Sequence, residues 1–556
     1  MPLEKIAWLE WKKETFELAK KLSRPILLDI FGPWCHWCHE MDETTYSNDR
    51  VAEIVNQNFI PIRVNTDKRP DINERYNAGG WPTTATLTTN GTKIQSATYL
   101  PPDQMIIFLK SSLNAFNVFG EKIEERSKNV FSEEIAPKKI LLNSSEIVES
   151  VASQAKRAFD SRFGGFGEFP KFPMPELLGF LEFYCLLSRD TQTSEMLKQT
   201  LLAMYEGELF DKEEFGFFRY STTRDWSVPH YEKMIEDNAQ LLVVYMDAFK
   251  LFGETAFFEA SKKTLEYIML NMFDRDEKVF FASQDADEEY YKLSLEDRKN
   301  SDKPFIDTTV FSDWNALMVQ AMLKASVFFG EPAFEKTALD CLKSVYRKNF
   351  SGGTLLHFSG KKEKQEGFLS DYAFLIQASI KAFIYSQDKF FLEKAVSLFG
   401  ISKEKFFDEK KQAFSDISGA DSVGLLQEKK FPFRLNSVMA ENCLFFNEII
   451  PTKECEELFP KLNSFAVSDA NKFGVFGALS AKVESLIGFG PLKISVVLSD
   501  KKNKGFLTKV LYNDFNNMVV LLDEKKGPDS AVVCRKNQCL APINELNGLD
   551  LYEKIR

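Results

Sequence analysis

The feature that most constrains the fold is a Cys-His-Trp-Cys run, Cys35 to Cys38, that directly follows an apolar, strand-like segment at 26–31. The residues after Cys35 are compatible with a helix, so this cysteine falls at a strand-to-helix turn. A pair spaced in this way can close a small disulfide ring, and the helix N-terminus stabilises a thiolate on Cys35. The run predicts a redox-active dithiol with Cys35 as nucleophile, Cys38 as resolving thiol and His36 favouring the thiolate when protonated.

Two further features predict that this dithiol is a thioredoxin-type centre. Asp29 lies in the preceding strand, where a thioredoxin keeps a buried carboxylate that takes the proton of its second cysteine. The turn at 79–83, which contains Trp81 and Pro82, matches the turn in which thioredoxins place a cis-proline facing the cysteines. The predicted catalytic set is Cys35, Cys38, Asp29, Pro82 and His36.

The apolar pattern around this motif predicts an α-β-α-β-β-β-α order and a thioredoxin fold over residues 1–118. Asn90-Gly91 is the preferred pair for a tight hairpin turn between the last two strands. The predicted helices are 8–22, 48–59 and 102–116, and the predicted strands are 26–31, 60–64, 83–89 and 93–99.

Two other interpretations of the Cys-x-x-Cys run stay open. Cys35, His36, Cys38 and His39 are four potential zinc ligands within five residues. One helical turn cannot aim all four at a tetrahedral ion without help from elsewhere in the chain. The segment also fits a thioredoxin-fold recognition module whose cysteines do no chemistry. We predict redox activity, with no bound metal and no cofactor.

Composition disfavours several other classes of function. The 556-residue chain has a formal net charge of −11, which argues against nucleic acid and membrane surfaces as partners. No stretch approaches the ~18 consecutive apolar residues of a membrane span, and the charged N-terminus lacks the apolar core of a signal peptide. Apart from Cys534 and Cys539, the remaining cysteines are scattered. We therefore expect a reducing, cytoplasmic environment.

The length requires more than one domain, and the pattern changes after residue 118. Charged residues and Pro137 predict a linker over 119–142. Beyond it, apolar residues at i, i+3 and i+4 spacing predict a helical domain over 143–490. Its candidate helices are paired along the chain, at 145–160 and 175–189, 193–206 and 235–252, 255–273 and 313–330, 332–349 and 369–386, 388–400 and 436–449, and 452–466 and 470–487.

The connections between these helices alternate between short ones and long ones rich in glycine and aromatic residues. A closed ring of paired helices, an (α/α)6 toroid with its long loops at one end, explains that alternation; an open solenoid or a pair of bundles is the alternative. Strand-like segments within 491–556 predict a small C-terminal α/β appendage. The predicted fold class is multidomain, α/β plus all-α.

Motifs spread over nearly the whole chain resemble the spermatogenesis-associated thioredoxin-like proteins. The resemblance implies a thioredoxin domain followed by a barrel like that of six-hairpin glycosidases and sugar epimerases, and it does not fix a reaction. The matching segments are 34–39, 69–72, 79–82, 164–167, 170–173, 219–221, 228–234, 283–287, 313–315, 371–373 and the pair Cys534/Cys539.

Three positions depart from that family's pattern. Phe218 stands where the family typically has a histidine, Thr309 stands where a lysine is usual, and Ala316 replaces a glycine. If the barrel mouth normally does chemistry with that histidine, this chain has lost or altered it.

Polar and aromatic side chains concentrate in the long loops, which a toroid would bring to one mouth. Paired carboxylates there would act as general acid and base on a glycosidic bond, and aromatic rings would stack on sugar faces. In the alternative interpretation, Asp313 and Asp371 are first-turn acids of helices and Trp314 is part of the core. The candidate substrate-binding residues are Trp226, His230, Glu232, Asp237, Gln284, Asp285, Asp287, Trp314, Asn315, Asp371 and Tyr372.

Besides His36 and His39 at the Cys-x-x-Cys run, the chain has two histidines, His230 and His357. A two-histidine epimerase mechanism is disfavoured, because His357 lies in a strand-like segment outside any family motif. Cys534 and Cys539 flank a predicted turn, so they pair with each other, exchange with the Cys-x-x-Cys pair or remain buried thiols.

The first hypothesis is a thiol–disulfide oxidoreductase acting on protein or small-molecule disulfides, fused to a toroid that binds a substrate or partner. The alternative is a carbohydrate-active enzyme, glycosidase- or epimerase-like, with a carbohydrate ligand in the toroid and an accessory thioredoxin domain. It predicts that acidic residues from the long loops line one closed cavity. A third hypothesis is a binding protein that uses neither site chemically.

Overall fold

The computed structural model describes residues 5–132, 144–360, 363–419, 422–500, 504–523, 527–536, 538–545 and 552. The chain divides into two compact units. Unit 1 comprises Met1–Lys138, Asp285–Asp287 and Asp416–Lys430, and unit 2 comprises Lys139–Gln284, Glu288–Ser415 and Phe431–Arg556. Among the described residues, no helix is both long enough and apolar enough to cross a membrane.

Unit 1 has the thioredoxin fold that the sequence predicts. Helix α4 was not predicted; it begins at Pro70, whose fixed φ suits the first helical position. A π-helical turn, Asp42–Tyr46, follows α2. The elements are α1 (Lys13–Leu22), β1 (Ile26–Phe31), α2 (His36–Met41), α3 (Asp49–Asn58), β2 (Ile60–Asn65), α4 (Pro70–Tyr76), β3 (Thr83–Leu87), β4 (Lys93–Ala97) and α5 (Pro102–Ser132).

The sheet of unit 1 has the strand order β2-β1-β3-β4. Strand β1 pairs parallel with β2 and antiparallel with β3, and β3 pairs antiparallel with β4. This register sets Asp29 of β1 opposite Arg63 of β2 and Thr84 of β3. Helix α5 continues to Ser132, so the first part of the predicted linker, 119–132, is helical. Positions 133–142 of that linker lie outside the described residues.

The segment Asp416–Lys430 belongs to unit 1 because Arg75 and Tyr76 bind it. The Arg75 Nη1 lies 2.7 Å from Asp416 Oδ2 in a buried ion pair, and the backbone N–H of Leu425 donates to the Tyr76 hydroxyl at 2.8 Å. The side chains of Arg75 and Asp416 are only 2% and 8% exposed. Unit 1 is therefore assembled from stretches of chain far apart in sequence.

Unit 2 is built around a ring of paired helices. Within its described part, the twelve predicted helices are present, and two short helices lie between α10 and α13. The helices that pack together most closely are those joined by the short connections, so the observed pairing is offset by one helix from the predicted one. The helices are α6 (Ser144–Ala158), α7 (Pro175–Ser188), α8 (Thr191–Glu206), α9 (Ile235–Phe252), α10 (Thr255–Tyr267), α11 (Glu288–Tyr291), α12 (Leu295–Lys299), α13 (Ser312–Phe328), α14 (Pro332–Asn349), α15 (Leu369–Ser386), α16 (Lys389–Phe406), α17 (Phe433–Ile449), α18 (Lys453–Ala470) and α19 (Ala478–Phe489).

Six of these helices close the inner ring. Each packs against the next in the order α7, α9, α13, α15, α17, α19, and α19 packs back against α7. The outer helices α8, α10, α14, α16, α18 and α6 pack against the inner ones. The predicted (α/α)6 toroid is therefore confirmed, and the open solenoid is excluded.

Short strands connect the helices at their ends. They form two- and three-stranded pairings in which β7, β10 and β11 share one sheet, and β12, β13 and β14 share another. The strands are β5 (Tyr220–Ser221), β6 (Pro229–His230), β7 (Lys233–Met234), β8 (Phe273–Asp274), β9 (Val279–Phe280), β10 (Ser283–Gln284), β11 (Ile306–Asp307), β12 (Phe350–Ser351), β13 (Thr354–Ser359), β14 (Lys364–Glu366), β15 (Phe407–Asp408) and β16 (Ala413–Phe414).

Buried asparagines tie three hairpins to the inner helices that follow them: the bridge between Phe210 and Phe217, the hairpin β8–β9 and the hairpin β15–β16. Asn315 accepts a hydrogen bond from the Phe280 N–H at 2.8 Å and donates to the Phe280 carbonyl at 3.0 Å, and it also donates to the Phe311 carbonyl. The same contacts join Asn238 to Phe217 and Asn436 to Phe414. We call this contact the asparagine clamp. All three asparagines are at most 1% exposed.

The C-terminal appendage is a sheet of order β18-β17-β19-β20 with one helix, as predicted. Its helix packs on α13, and β18 packs on α15 and α17. Cys534 and Cys539 lie opposite each other in β19 and β20 and form a disulfide, so they are not buried thiols. The elements are β17 (Leu492–Val497), α20 (Gly505–Tyr512), β18 (Met518–Leu522), β19 (Ser530–Arg535) and β20 (Gln538–Cys539).

We expect Asn315→Ala and Asn436→Ala each to lower the free energy of unfolding by about 2–4 kcal/mol, because a buried backbone group left unpaired costs about 1–3 kcal/mol and each clamp pairs two of them. Urea unfolding followed by far-ultraviolet circular dichroism measures the change. The matched control is Asn300→Ala at an exposed helix end, which should change stability by less than about 0.5 kcal/mol. Equal stability of the clamp variants and the control would contradict the assignment.

Candidate functional site

The Cys-x-x-Cys pair of unit 1 lies at the start of α2. Cys35 is the N-cap of this helix, and its Sγ accepts a hydrogen bond from the Cys38 N–H at 3.2 Å. The two cysteines form a disulfide with a Cα–Cα distance of 5.3 Å, and each is 3% exposed. The structure therefore shows the oxidised form of the predicted dithiol.

The residues around the pair have different degrees of exposure. His36 begins α2 and is half-buried, and the exposed Trp37 lies with its ring centroid 5.2 Å from that of Tyr99. The Trp81–Pro82 peptide bond is cis, as the sequence predicts. A thioredoxin-type centre needs this turn to present the backbone of a substrate to the sulfurs.

Asp29 lies in the centre of the sheet and is 1% exposed. Burial raises the pKa of its carboxyl to about 6, although the nearby Arg63 guanidinium opposes the shift. Arg63 Nε lies 3.1 Å from Asp29 Oδ2, and the Tyr46 hydroxyl donates to Asp29 Oδ1 at 3.1 Å. The carboxyl can therefore gain and lose a proton near neutral pH, which suits the role of proton acceptor predicted for it.

Asp285 and Asp287, which the sequence analysis placed among the ligand residues of the toroid, belong to unit 1. Asp285 Oδ2 lies 3.1 Å from Nε2 of His39. The hydrogen bond that the Asp285 carboxylate accepts from His39 raises the pKa of this histidine, against the effect of burial. The backbone N–H of Ala286 also donates to the Trp34 carbonyl at 3.4 Å. This segment therefore contacts the Cys-x-x-Cys loop itself.

In unit 2, the first turns of several inner helices lie close together, and we call this end of the ring the mouth. Arg434 of α17 forms an ion pair with Glu176 of α7. Burial lowers the pKa of Arg434, but Glu176 raises it, with further contributions from Glu236 of α9 and Asp313 of α13, so the pKa rises overall. Charged side chains from four inner helices therefore converge at the mouth. Of these four residues, the sequence analysis named only Asp313.

The most concentrated group at the mouth is Asp313, His357 and Asp371. His357 Nδ1 lies 2.9 Å from Asp371 Oδ1 and 4.0 Å from Asp313 Oδ1. Asp371 also accepts hydrogen bonds from the backbone N–H groups of Phe368 and Asp313, at 2.8 and 3.3 Å. Burial, and then the charge of Asp371, raises the pKa of Asp313 to about 6, against the opposing charge of His357.

Sequence reasoning dismissed His357, which β13 carries to Asp313 and Asp371. All three residues are less than 10% exposed. In the part of the chain that the structure describes, this is the one set of three histidine, cysteine or acidic side chains whose potential ligand atoms all lie within 4.8 Å of one another. It could therefore hold a metal ion. The sequence offered no usable signal for this group, because His357 is an isolated histidine and no regular spacing connects it to the two aspartates.

His230, Glu232 and Asp237 form a second group, together with Arg219. Glu232 Oε1 lies 2.9 Å from His230 Nδ1, and Glu232 Oε2 lies 3.3 Å from Arg219 Nη1. Burial raises the pKa of Asp237 to about 6; Arg219 opposes the shift and Glu232 adds to it. These predicted residues are brought together, and Arg219 was missed as their cationic partner.

Several other predicted ligand residues are structural. Trp226 is 1% exposed, lies in a hydrophobic core cluster of unit 2 and donates to the Phe163 carbonyl at 3.0 Å. Tyr372 is fully buried against Phe406, so neither ring can stack on a sugar. Among the remaining residues, Gln284 accepts a hydrogen bond from Tyr267, Asn315 is a clamp residue and Trp314 is 8% exposed beside Phe311.

Phe218, at the position where a histidine was expected, is also core. It is 3% exposed, with its ring centroid 5.1 Å from that of Tyr231 and 5.0 Å from that of Tyr291. An acid–base role for this position is excluded in this chain.

A cavity of about 140 Å³ lies inside the ring and is lined by all six inner helices, with Phe515 and Asn516. None of the predicted loop carboxylates lines it, so that expectation of the carbohydrate hypothesis is wrong for this cavity. Burial, followed by the nearby Asp247, raises the pKa of the lining residue Glu182 well above its ordinary value. The polar lining residues are Glu176, Glu182, Gln240, Asp247, Gln320, Gln377, Glu441, Asn516 and Lys482.

Comparison with known proteins gives matches to both units. A family model named Thioredox_DsbH and described as a protein of unknown function, DUF255, matches residues 3–137. The chain is 34% identical to spermatogenesis-associated protein 20 of Rattus norvegicus over 307 residues, which cover 51% of this chain and 39% of that protein. It is 25% identical to the thiol:disulfide interchange protein DsbD of Yersinia pestis over 83 residues, 14% of each chain.

A cellobiose 2-epimerase structure from Bacillus thermoamylovorans aligns with 59% of this chain and 86% of its own, at a TM-score of 0.47 and 10% identity. The chain spans about two fifths of the length of the rat relative. The predicted resemblance to the spermatogenesis-associated thioredoxin-like proteins is confirmed over the matched residues.

Proposed function

We propose that the chain is a thiol–disulfide oxidoreductase that acts on protein or small-molecule disulfides through Cys35 and Cys38. The observation that carries this proposal is the position of Cys35 as the N-cap of α2, where its Sγ accepts the Cys38 N–H. A sulfur at a helix N-terminus is stabilised as the thiolate, which is the reactive form. The similarity to a thiol:disulfide interchange protein supports the same chemistry.

The reaction begins with the reduced pair. The Cys35 thiolate attacks a substrate disulfide, forms a mixed disulfide and releases one substrate thiolate. Cys38 gives its proton to Asp29 and attacks the Cys35 sulfur, which releases the second substrate thiolate as the Cys35–Cys38 bond forms. Two electrons pass to the substrate. Pro82 supports the substrate backbone, and protonated His36 favours the thiolate.

A cytoplasmic location is part of this proposal. Cys185, Cys341, Cys443 and Cys455 are free and buried, which fits a reducing compartment. The exchange needs no cofactor, because the cysteine pair itself carries the electrons.

A second candidate function is acid–base chemistry on a carbohydrate at the mouth of the ring. One observation favours it: Asp313, with its pKa raised to about 6, lies beside Asp371 and His357. A carboxyl that keeps its proton near neutral pH can act as a general acid on a glycosidic bond.

The reactivity of Cys35 tests the proposed exchange. In a Cys534→Ser/Cys539→Ser background, reduced protein should react with iodoacetamide at Cys35 with a pH midpoint below about 7, because the helix N-terminus favours the thiolate. Cys35→Ser should abolish this reaction and the reduction of insulin disulfides. The control Cys185→Ser changes a buried free thiol and should retain both. A midpoint near the free-thiol value of about 8.5 would contradict the proposal.

The pH dependence of the exchange tests the role of Asp29 as proton acceptor. The rate of the resolving step should rise with pH through about 6, where Asp29 loses its proton. Asp29→Asn should slow this step and remove the rise. Arg63→Met should move the rise to higher pH, because the guanidinium lowers the pKa of Asp29. Stopped-flow release of the second substrate thiol measures the step, with the exposed Asp49→Asn as control. An unchanged pH profile in Asp29→Asn would refute the role.

Assays with aryl glycosides test whether the mouth is catalytic. If it hydrolyses glycosides, a panel of aryl glycosides should show turnover that falls as pH rises above about 6, where Asp313 loses its proton. Asp313→Asn should reduce turnover by about 10²-fold or more, while Asp340→Asn on the outer helix α14 should not. Absence of turnover in the wild type, or full turnover in Asp313→Asn, would rule out this function.

A further inference from the structure

The disulfide between Cys534 and Cys539 differs from the other cysteines of unit 2 in its accessibility. Cys539 is exposed on the edge strand β20 and Cys534 is half-buried in β19, with a Cα–Cα distance of 4.0 Å. The four cysteines outside the two disulfides are all buried. In unit 2, this bond is therefore the sulfur site that a thiolate from solvent can reach.

The hairpin that carries this disulfide is held in place by other contacts. Strand β19 pairs with β17 along its whole length, from Ser530 to Arg535. The Arg535 guanidinium lies 4.9 Å from the centroid of the Phe489 ring, and Lys536 Nζ donates to the Gly488 carbonyl at 2.7 Å. Both side chains thus anchor the turn to the C-terminal end of α19. Opening the disulfide would leave the two thiols facing each other, so the bond can form again.

The exposure of this disulfide makes it reducible, because exposed disulfides have higher reduction potentials than buried structural ones. In a reducing compartment, exposed disulfides are usually transient and take part in catalysis or redox sensing.

We propose that Cys534 and Cys539 form a second thiol–disulfide centre, which is reduced by the Cys35/Cys38 dithiol. This inference rests on the oxidoreductase function proposed above. The Cys35 thiolate attacks the exposed sulfur of Cys539, the Cys534–Cys539 bond breaks, and Cys534 leaves as a thiolate. Cys38 then loses its proton and attacks Cys35, which releases Cys539 as a thiolate. Two electrons pass from one pair to the other, and an external dithiol reduces Cys35–Cys38 again.

The test follows reduction of the second pair in full-length chains. Oxidised wild type, Cys35→Ser/Cys38→Ser, Cys35→Ser and the control Cys185→Ser are mixed with limiting dithiothreitol, quenched with acid and alkylated. Mass spectrometry of the peptide that contains Cys534 and Cys539 gives the reduced fraction. We expect reduction to be about tenfold faster in wild type and Cys185→Ser than in the two Cys35 variants, because the thioredoxin-type dithiol catalyses it.

Equal rates in all four chains, or a peptide that is never oxidised, would overturn the second centre. Insulin reduction separates this result from the function on which it rests. The Cys534→Ser/Cys539→Ser variant should still reduce insulin. If the wild type reduces insulin but the Cys534–Cys539 bond is reduced at the same rate in all four chains, only the second centre is ruled out. Loss of insulin reduction in the wild type would remove the proposed function itself.

Discussion

The asparagine clamp is the contact on which the geometry of the helical ring depends. Each clamp satisfies the N–H and the carbonyl of one hairpin phenylalanine with a single buried amide, and it also bonds to its own helix. Because unpaired polar groups are costly inside a protein, the hairpin can take only one position relative to the helix. The mouth residues follow directly: Asp237 precedes Asn238, Asp313 lies two positions before Asn315, and Arg434 lies two positions before Asn436. The clamps therefore set where these charges meet.

Below the mouth, charge pairing continues along the inner helices. Asp247 forms ion pairs with Lys250 and Lys324, and Lys381 Nζ lies 3.0 Å from Asp514 Oδ2 next to the C-terminal sheet. Apolar residues of similar volume would often stabilise such a core as well as buried ion pairs do, or better. These buried ion pairs are therefore weak evidence for the stability of the ring, and packing requirements alone do not explain why its interior is polar.

In unit 1, the register of the sheet determines which side chains surround the buried carboxyl of Asp29. Pairing β1 with β2 sets Asp29 opposite Arg63, so this buried carboxyl is accompanied by a cation. Burial alone would raise the pKa of this carboxyl further and keep it protonated in the neutral range. The guanidinium limits that rise, which leaves the pKa at about 6. Proton acceptance near neutral pH is thus a property of strand register as much as of the residue itself.

The contrast between what the sequence predicted and what it missed follows from the range of the interactions. The Cys-x-x-Cys turn, the cis-proline and the paired helices are specified by neighbours within a few residues, so their patterns can be read locally. The clamps had a readable signal as well, because Phe210, Phe273 and Phe407 are each followed by an aspartate and, seven residues later, by the clamped phenylalanine.

Trp226, Tyr372 and His357 have no such signal. The environment of Trp226 comes from Phe163, Gly165 and Gly207, and a Cβ on Gly165 would lie 2.5 Å from its ring. His357 acquires its partners only when β13 pairs beside the first turns of α13 and α15. Whether an aromatic or a histidine in a polar loop is core or site is decided by residues from distant parts of the chain, which meet only after the ring has closed.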